Sequence, residues 1–134
     1  MIEYEVYIDE AFVYRQRADG LIINSPTGST AYSLSGGGPI IHPDVKAITL
    51  LPMFPHSLNT SPLVFKDTSN IKIVMLGSKN KATLSMDSHD SLTLKKGDTV
   101  LIQKTSFDLT LIHPKEHNFF SACRNKLGWS SAIT

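Results

Sequence analysis

The chain has 134 residues, 41% hydrophobic and 19% charged, with 13 basic and 12 acidic side chains and a formal net charge of +1. That is the size and composition of one globular domain rather than a disordered chain, and the charge balance makes no electrostatic case for nucleic acid or a membrane surface as partner. A single cysteine, Cys123, excludes an internal disulfide and a cysteine-rich zinc site, no apolar run approaches the ~20 residues that span a bilayer, and the acidic, alternating start is not a signal peptide, so the cytoplasm is the default location.

Tyr4, Val6 and Ile8 alternate with Glu3, Glu5 and Tyr7, the period of two that marks a half-buried strand. Asp9 and Glu10 punctuate, and residues 11–17 resume as a second β-rich run, so the two read as a hairpin. A chain that opens directly in a strand reads as cut from a longer one, or as pairing with another chain, because a sheet needs neighbours. Ala18, Asp19 and Gly20 make a turn, and residues 21–23 a short buried strand. Residues 24–39 are then dense in small hydroxyl residues and glycine. Thr27 or Ser29 is placed to cap a short helix over 31–35, and three glycines, Gly36 to Gly38, to end it.

Strands return at 47–51, 63–65, 71–76, 82–86, 91–94, 99–103 and 107–112, separated by turn signals such as Gly77-Ser78, Ser88-His89-Asp90 and Gly97-Asp98. Short strands at this spacing predict a mainly β fold: an antiparallel β-sandwich-like domain with one or two short helices. The second helix is predicted within 118–129, where Phe119, Phe120, Leu127 and Trp129 give an aromatic load that calls for docking. The expected division is a β-sandwich over 1–117 and a docking tail over 118–134. His113 and His117 have the spacing of zinc ligands on a helix, but Pro114 breaks a helix there and no third ligand is near, so they read as solvated.

The informative stretch runs from Asp19 to Pro39. Small residues let a ligand approach the backbone, and N–H groups at a helix start attract anions. Hydroxyls on Thr27, Ser29, Thr30 and Ser35 can serve ribose or phosphate oxygens, Tyr32 offers a flat face and a phenol, and Asp19 can accept from an amide. That inventory suits a nucleotide-sized polar ligand. The plainer reading is a Ser/Thr/Gly-rich connection with no ligand. The stretch is neither a Walker loop, nor a Gly-x-Gly-x-x-Gly turn, nor a nucleophile elbow.

The blocks Asp19-Gly20-Leu21, Ser25-Pro26-Thr27-Gly28-Ser29-Thr30-Ala31-Tyr32, and Ser35 through Gly38-Pro39 resemble the signature of the NAD kinase family. Ser25 stands where threonine is common. Residues 52–58 (Pro-Met-Phe-Pro-His-Ser-Leu) resemble the bacterial form, and Ser85-Met86-Asp87 resembles the family's Ser-x-Asp-Gly strand end, with Ser88 in place of the glycine. Residues 107–114 and Lys126-Leu127-Gly128-Trp129 resemble the closing strand and tail.

The resemblance implies the carboxy-terminal β domain of an enzyme that moves the terminal phosphate of ATP, or of polyphosphate, to the 2′-hydroxyl of the adenosine ribose of NAD, with a divalent metal such as Mg in the complete enzyme. It implies that Thr30, Ala31, Tyr32 and Ser35, with Thr27, line the NAD pocket. Asp19 and the loop of Phe54 and His56 would reach into a neighbouring copy's pocket in a homo-oligomer, and Asp87 or Ser88 would lie near the phosphates. The family's Gly-Gly-Asp-Gly and Asn-Glu motifs are absent from these 134 residues. No residue here is therefore assigned a catalytic or metal-binding role, and the isolated chain is expected to be inactive. The alternatives are a non-catalytic dinucleotide-binding or assembly module, and an unrelated all-β domain whose loop matches by chance.

Overall fold

In the computed structural model, which describes residues 1–129, the first hairpin forms as strands β1 (Ile2–Ile8) and β2 (Ala11–Ala18). Then come β3 (Gly20–Asn24), a 3-10 turn (Thr27–Thr30), α1 (Tyr32–Ser35), β4 (Ala47–Met53), β5 (Leu63–Lys66) and β6 (Ile71–Ser78). The hairpin β7 (Ala82–Met86) and β8 (Asp90–Leu94), β9 (Thr99–Ile102) and α2 (Phe119–Leu127) complete the order. The chain divides into two compact units, Met1–Lys104 and a second from Thr105 onward.

Alternation decides which side of each strand is covered. Tyr4 and Val6 are fully buried, while Glu3, Glu5 and Tyr7 between them stay partly exposed. Asp9 and Glu10 close the hairpin with φ of 49° and 65°, the two left-handed residues of a turn whose twist matches its strands. That conformation is costly for side-chain-bearing residues. Asp9 is held in it by a reciprocal pair: its N–H donates to the Asn70 carbonyl, and its Oδ1 accepts from the Asn70 N–H, both at 2.9 Å. The backbone N–H of Asn70 holds the Asp9 carboxyl below its ordinary pKa.

The strands make a four-stranded antiparallel sheet in the order β2-β1-β6-β9, a three-stranded sheet β3-β4-β5, and the β7-β8 hairpin. One core joins them: Tyr4, Val6, Ile71, Ile73 and Met75 from the first sheet, Ile48 and Leu50 from the second, and Ala82 from the hairpin. The mainly β, sandwich-like expectation is borne out. Within β4, Ile48 and Leu50 face this core, so Thr49 and Leu51 face the other way, yet both are buried as well. Something must cover the far side of β4, and the small-residue segment does so.

Tyr4 and Tyr14 pack edge to face with ring centroids 6.4 Å apart, and neither hydroxyl has a hydrogen-bond partner among the described residues. Burial pushes the Tyr4 phenol well above its ordinary pKa, with Tyr14 adding to the effect, and burial pushes Tyr14 up to about 12. Both groups keep their proton longer folded than unfolded. Their contribution is therefore complete below the ordinary phenol pKa of ~10 and is lost as pH rises toward the folded values. Urea midpoints are expected to fall steadily above that pH. Tyr4→Phe should raise stability at neutral pH by ~1 kcal/mol, because it removes an unsatisfied buried hydroxyl, and should blunt the alkaline loss. A less stable Tyr4→Phe protein at neutral pH would show that the hydroxyl has a partner after all.

In the second unit, residues 107–112 are not a strand, against expectation. Their alternation is real, but a strand needs a partner's backbone, and no described residue pairs with them. Phe107, Leu109, Leu111 and Ile112 are exposed as a result. The predicted second helix does form as α2, with the Asn118 Oδ1 accepting from the Ser121 N–H at 3.0 Å and Gly128 at φ 70° ending it. Cys123 is buried, as a small packing residue should be. Residues 130–134 of the expected tail lie outside the described residues.

Candidate functional site

The segment after β3 is shaped by which of its small residues turn inward. Ser29 is fully buried, its Oγ donating to the Pro26 carbonyl at 2.5 Å and accepting from the Ile41 N–H at 3.0 Å. One hydroxyl thereby ties the two ends of the loop. Neither Thr27 nor Ser29 caps a helix: no side-chain cap is present on the 3-10 turn or on α1. With only four residues, α1 also has too few aligned peptides to act as an anion-binding helix start. The expected short helix forms within a residue of its bounds, but uncapped, because Ser29 spends its hydroxyl in the buried clamp.

Gly38 lies so close to the turn before it that a Cβ would collide with the Ser33 Oγ, stand 2.9 Å from the Ser33 carbonyl and 3.2 Å from Leu51 Cδ2. Gly37 has φ 86°, a left-handed position that suits glycine. A Cβ on Gly36 would meet the Met53 sulfur at 2.7 Å. The loop therefore lies on Leu51 and Met53, the far side of β4, and seals that strand. Ser33 is buried beneath it. What remains outside is one face carrying Thr27, Thr30, Ala31, Tyr32 and Ser35, all exposed, with the Tyr32 ring 71% accessible. Five of the expected binding residues are thus left exposed on this one segment.

Asp19, Phe54 and His56 form a second group. The Asp19 N–H donates to the Met53 carbonyl, and the His56 N–H donates to the Arg17 carbonyl, each at 2.9 Å. These bonds fasten the β2-to-β3 corner to the loop after β4. Phe54, directly before Pro55, has φ 46° and is 74% exposed. A bulky residue there is strained, and such strain persists only where the surroundings hold it. Met53 links the two groups, since its side chain lies under Gly36 and its carbonyl holds Asp19.

Asp87 and Ser88 stand apart, at the tip of the β7-β8 hairpin, with φ of 47° and 63° and the His89 N–H closing on the Met86 carbonyl at 3.0 Å. No hydrogen bond or ion pair ties this tip to the other groups. Ser88 occupies a left-handed position that glycine would fill without strain. Ser88→Gly is expected to stabilise the chain by ~1 kcal/mol in urea unfolding; an unchanged or lowered midpoint would mean that the serine side chain is used here.

A cavity of about 400 Å³ opens between the first sheet, β3 and the hairpin, and Asp19 is the only expected binding residue on its wall. Tyr32 does not line it. The described residues contain no group of three or more His, Cys, Asp or Glu side chains that could hold a metal ion, and no helix among them is long and apolar enough to cross a membrane.

Residues 1–114 match the family model of the ATP-NAD kinase C-terminal domain. The chain belongs to this family. Relatives include the NAD kinase of Teredinibacter turnerae, 52% identical over 132 residues, which covers 98% of this chain and 45% of that protein. The NAD kinase of Escherichia coli O1:K1 is 51% identical over 133 residues, covering 99% of this chain and 46% of that protein. The chain therefore spans about half the length of these NAD kinases. Among solved structures, yeast NADH kinase complexed with NADH superposes with a TM-score of 0.86 at 31% identity, over 99% of this chain and 41% of that one. An NAD kinase from Archaeoglobus fulgidus in complex with ATP superposes with a TM-score of 0.71 at 30% identity, over 80% of this chain and 41% of that one.

The NAD kinase signature includes Ser29, read there as a cap or a ligand-facing hydroxyl, and Met53, but that these two and Ser33 seat the loop was not legible in it. One signal for them was available: residues 47–52 are uniformly apolar or small where a strand covered on one face would alternate.

Proposed function

We propose that this chain is the dinucleotide-holding half of an NAD kinase, which transfers the terminal phosphate of ATP or polyphosphate to the 2′-hydroxyl of the adenosine ribose of NAD. The observation that carries the reading is the outward face of the loop on β4. There Thr30, Ala31, Tyr32 and Ser35 are presented together while Ser29, Ser33 and the glycines fix the backbone from beneath. Related proteins solved with NADH and with ATP support the ligand class.

In this reading the Tyr32 ring stacks on a flat part of the dinucleotide, and the hydroxyls of Thr27, Thr30 and Ser35 serve its ribose and phosphate oxygens. The Asp19, Phe54 and His56 group borders the site of a second copy in a homo-oligomer. An exposed, strained Phe54 suits such a contact. Asp87 and Ser88 act on phosphates only once the other half of the enzyme closes around the hairpin tip. The donor set among the described residues does not fit a resident metal. A divalent ion would come with the donor's phosphates and with residues outside this chain, and no step is assigned to it here. The tail over 118–134 docks on the amino-terminal half, which is where the exposed Phe120 and Trp129 would be covered.

Titration of the chain with NAD, followed by amide chemical shifts, tests the reading. Shifts centred on residues 30–35 are expected, with Tyr32→Ala weakening binding at least ~fivefold, since stacking on an aromatic face is worth ~1–3 kcal/mol. No binding at millimolar NAD, or shifts elsewhere with Tyr32→Ala unchanged, would overturn it.

A further inference from the structure

Gln16 lies on β2 opposite Tyr4 of β1 and is buried. A primary amide at such a position costs free energy unless its polar ends are hydrogen-bonded. Gln16 has a partner at each end. Its Nε2 donates to the Arg17 carbonyl at 3.0 Å, and its Oε1 accepts from the Thr60 hydroxyl at 3.1 Å, 44 residues along the chain in the loop after β4. The Arg17 carbonyl is also the one that accepts from the His56 N–H. Gln16 therefore meets this loop directly at Thr60 and through a shared acceptor at His56. Between those two anchors Ser57, Leu58 and Asn59 are exposed. Just before them Phe54 holds φ 46°, although a residue that precedes proline favours extended backbone.

We propose that Gln16 is the positioning residue of the loop over 54–60, and that it holds Phe54 and His56 in the arrangement through which they meet the dinucleotide at a second copy's site. A strained backbone persists only where its surroundings over-determine it. Three pins do so here: the Met53 carbonyl on the Asp19 N–H, the His56 N–H on the Arg17 carbonyl, and the Thr60 hydroxyl on Gln16. The first two are backbone pairs that do not depend on which side chains are present. The third does, and its acceptor is the same buried amide that braces the Arg17 carbonyl from the other side. An apolar side chain at position 16 would pack in the core equally well but would leave Thr60 unheld. The inference rests on the reading that Phe54 and His56 border a neighbouring copy's site, and it deepens that reading by naming the side chain that keeps them in place.

The test compares the chain with its Gln16→Leu and Thr60→Val variants by amide hydrogen exchange and by NAD titration at low and high chain concentration. In Gln16→Leu the His56 amide is expected to exchange about tenfold faster, as befits the loss of one or two hydrogen bonds, while the Tyr4 and Val6 amides in the core keep their protection. Thr60→Val, half-buried and outside the core, should move His56 in the same direction, and the double variant should be no worse than Gln16→Leu, because the two side chains share one bond. Where copies associate, Gln16→Leu should weaken NAD binding about fivefold; in the dilute chain it should not, whereas Tyr32→Ala weakens binding at every concentration. Unchanged exchange at His56 would overturn the proposal, as would faster exchange at His56 and in the core alike in both variants. NAD affinity that ignores Gln16→Leu at every concentration but still responds to Tyr32→Ala would overturn the positioning role and spare the functional reading. Affinity that ignores both substitutions would overturn the two together.

Discussion

Supplied with NAD, ATP and Mg²⁺, the 134-residue chain is expected to form NADP at least ~10⁴-fold more slowly than an intact relative. Phosphoryl transfer depends on aligning an acceptor hydroxyl with the donor phosphate and on neutralising charge as it develops. The chain presents Tyr32 and its neighbouring hydroxyls on an open face rather than in a closed pocket. It also lacks the Gly-Gly-Asp-Gly aspartate expected to activate the ribose hydroxyl. Losing a general base costs ~10²–10⁴-fold, and losing the opposing wall that fixes the reactants costs more. A coupled assay for NADP checks this directly. Turnover comparable to that of the Escherichia coli enzyme would show that the base lies among these residues, and Asp19 and Asp87 would be the first to substitute. Adding back the amino-terminal half should restore activity, which separates a missing part from a chain that has lost the function.

Gly38→Ala is expected to be the most damaging one-methyl change in the loop. The new Cβ would press on the Ser33 hydroxyl and on its backbone carbonyl, with Leu51 behind it. Backbone cannot rotate out of the way as a side chain can, so the turn must shift, at a cost of ~1–3 kcal/mol. That shift carries Tyr32 and Ser35 with it, and NAD binding should weaken along with stability. Gly77→Ala is the control, because a Cβ there meets nothing within 4 Å. Equal urea midpoints for the two variants would mean that the loop is not seated on β4 as described.

The strands were legible because their signal is local. A period of two in the first hairpin and turn residues between later runs needed no knowledge of partners, and seven of the eight runs expected after the first hairpin, from 21–23 to 99–103, formed within a residue or two of their bounds. The run at 107–112 failed for a matching reason: its alternation is strand-like, but pairing is not a local property and no described strand lies beside it. The site divided the same way. Its surface residues could be read from the signature, while the clamp through Ser29, the seat on Leu51 and Met53, and the bonds that bring Asp19 beside Phe54 all join residues distant in sequence.

By itself, then, the order of amino acids settled the chemical character of the chain: β-forming periods, a hydroxyl-and-glycine loop, one thiol that packs, and membership of a kinase family. Folding in three dimensions settled which of those small residues stay exposed. The reason is steric. Gly36 and Gly38 allow the loop to lie flat on β4, the Ser29 hydroxyl is consumed in holding it there, Ser33 is buried beneath it, and the side chains left on the outer surface, Tyr32 foremost, stay exposed.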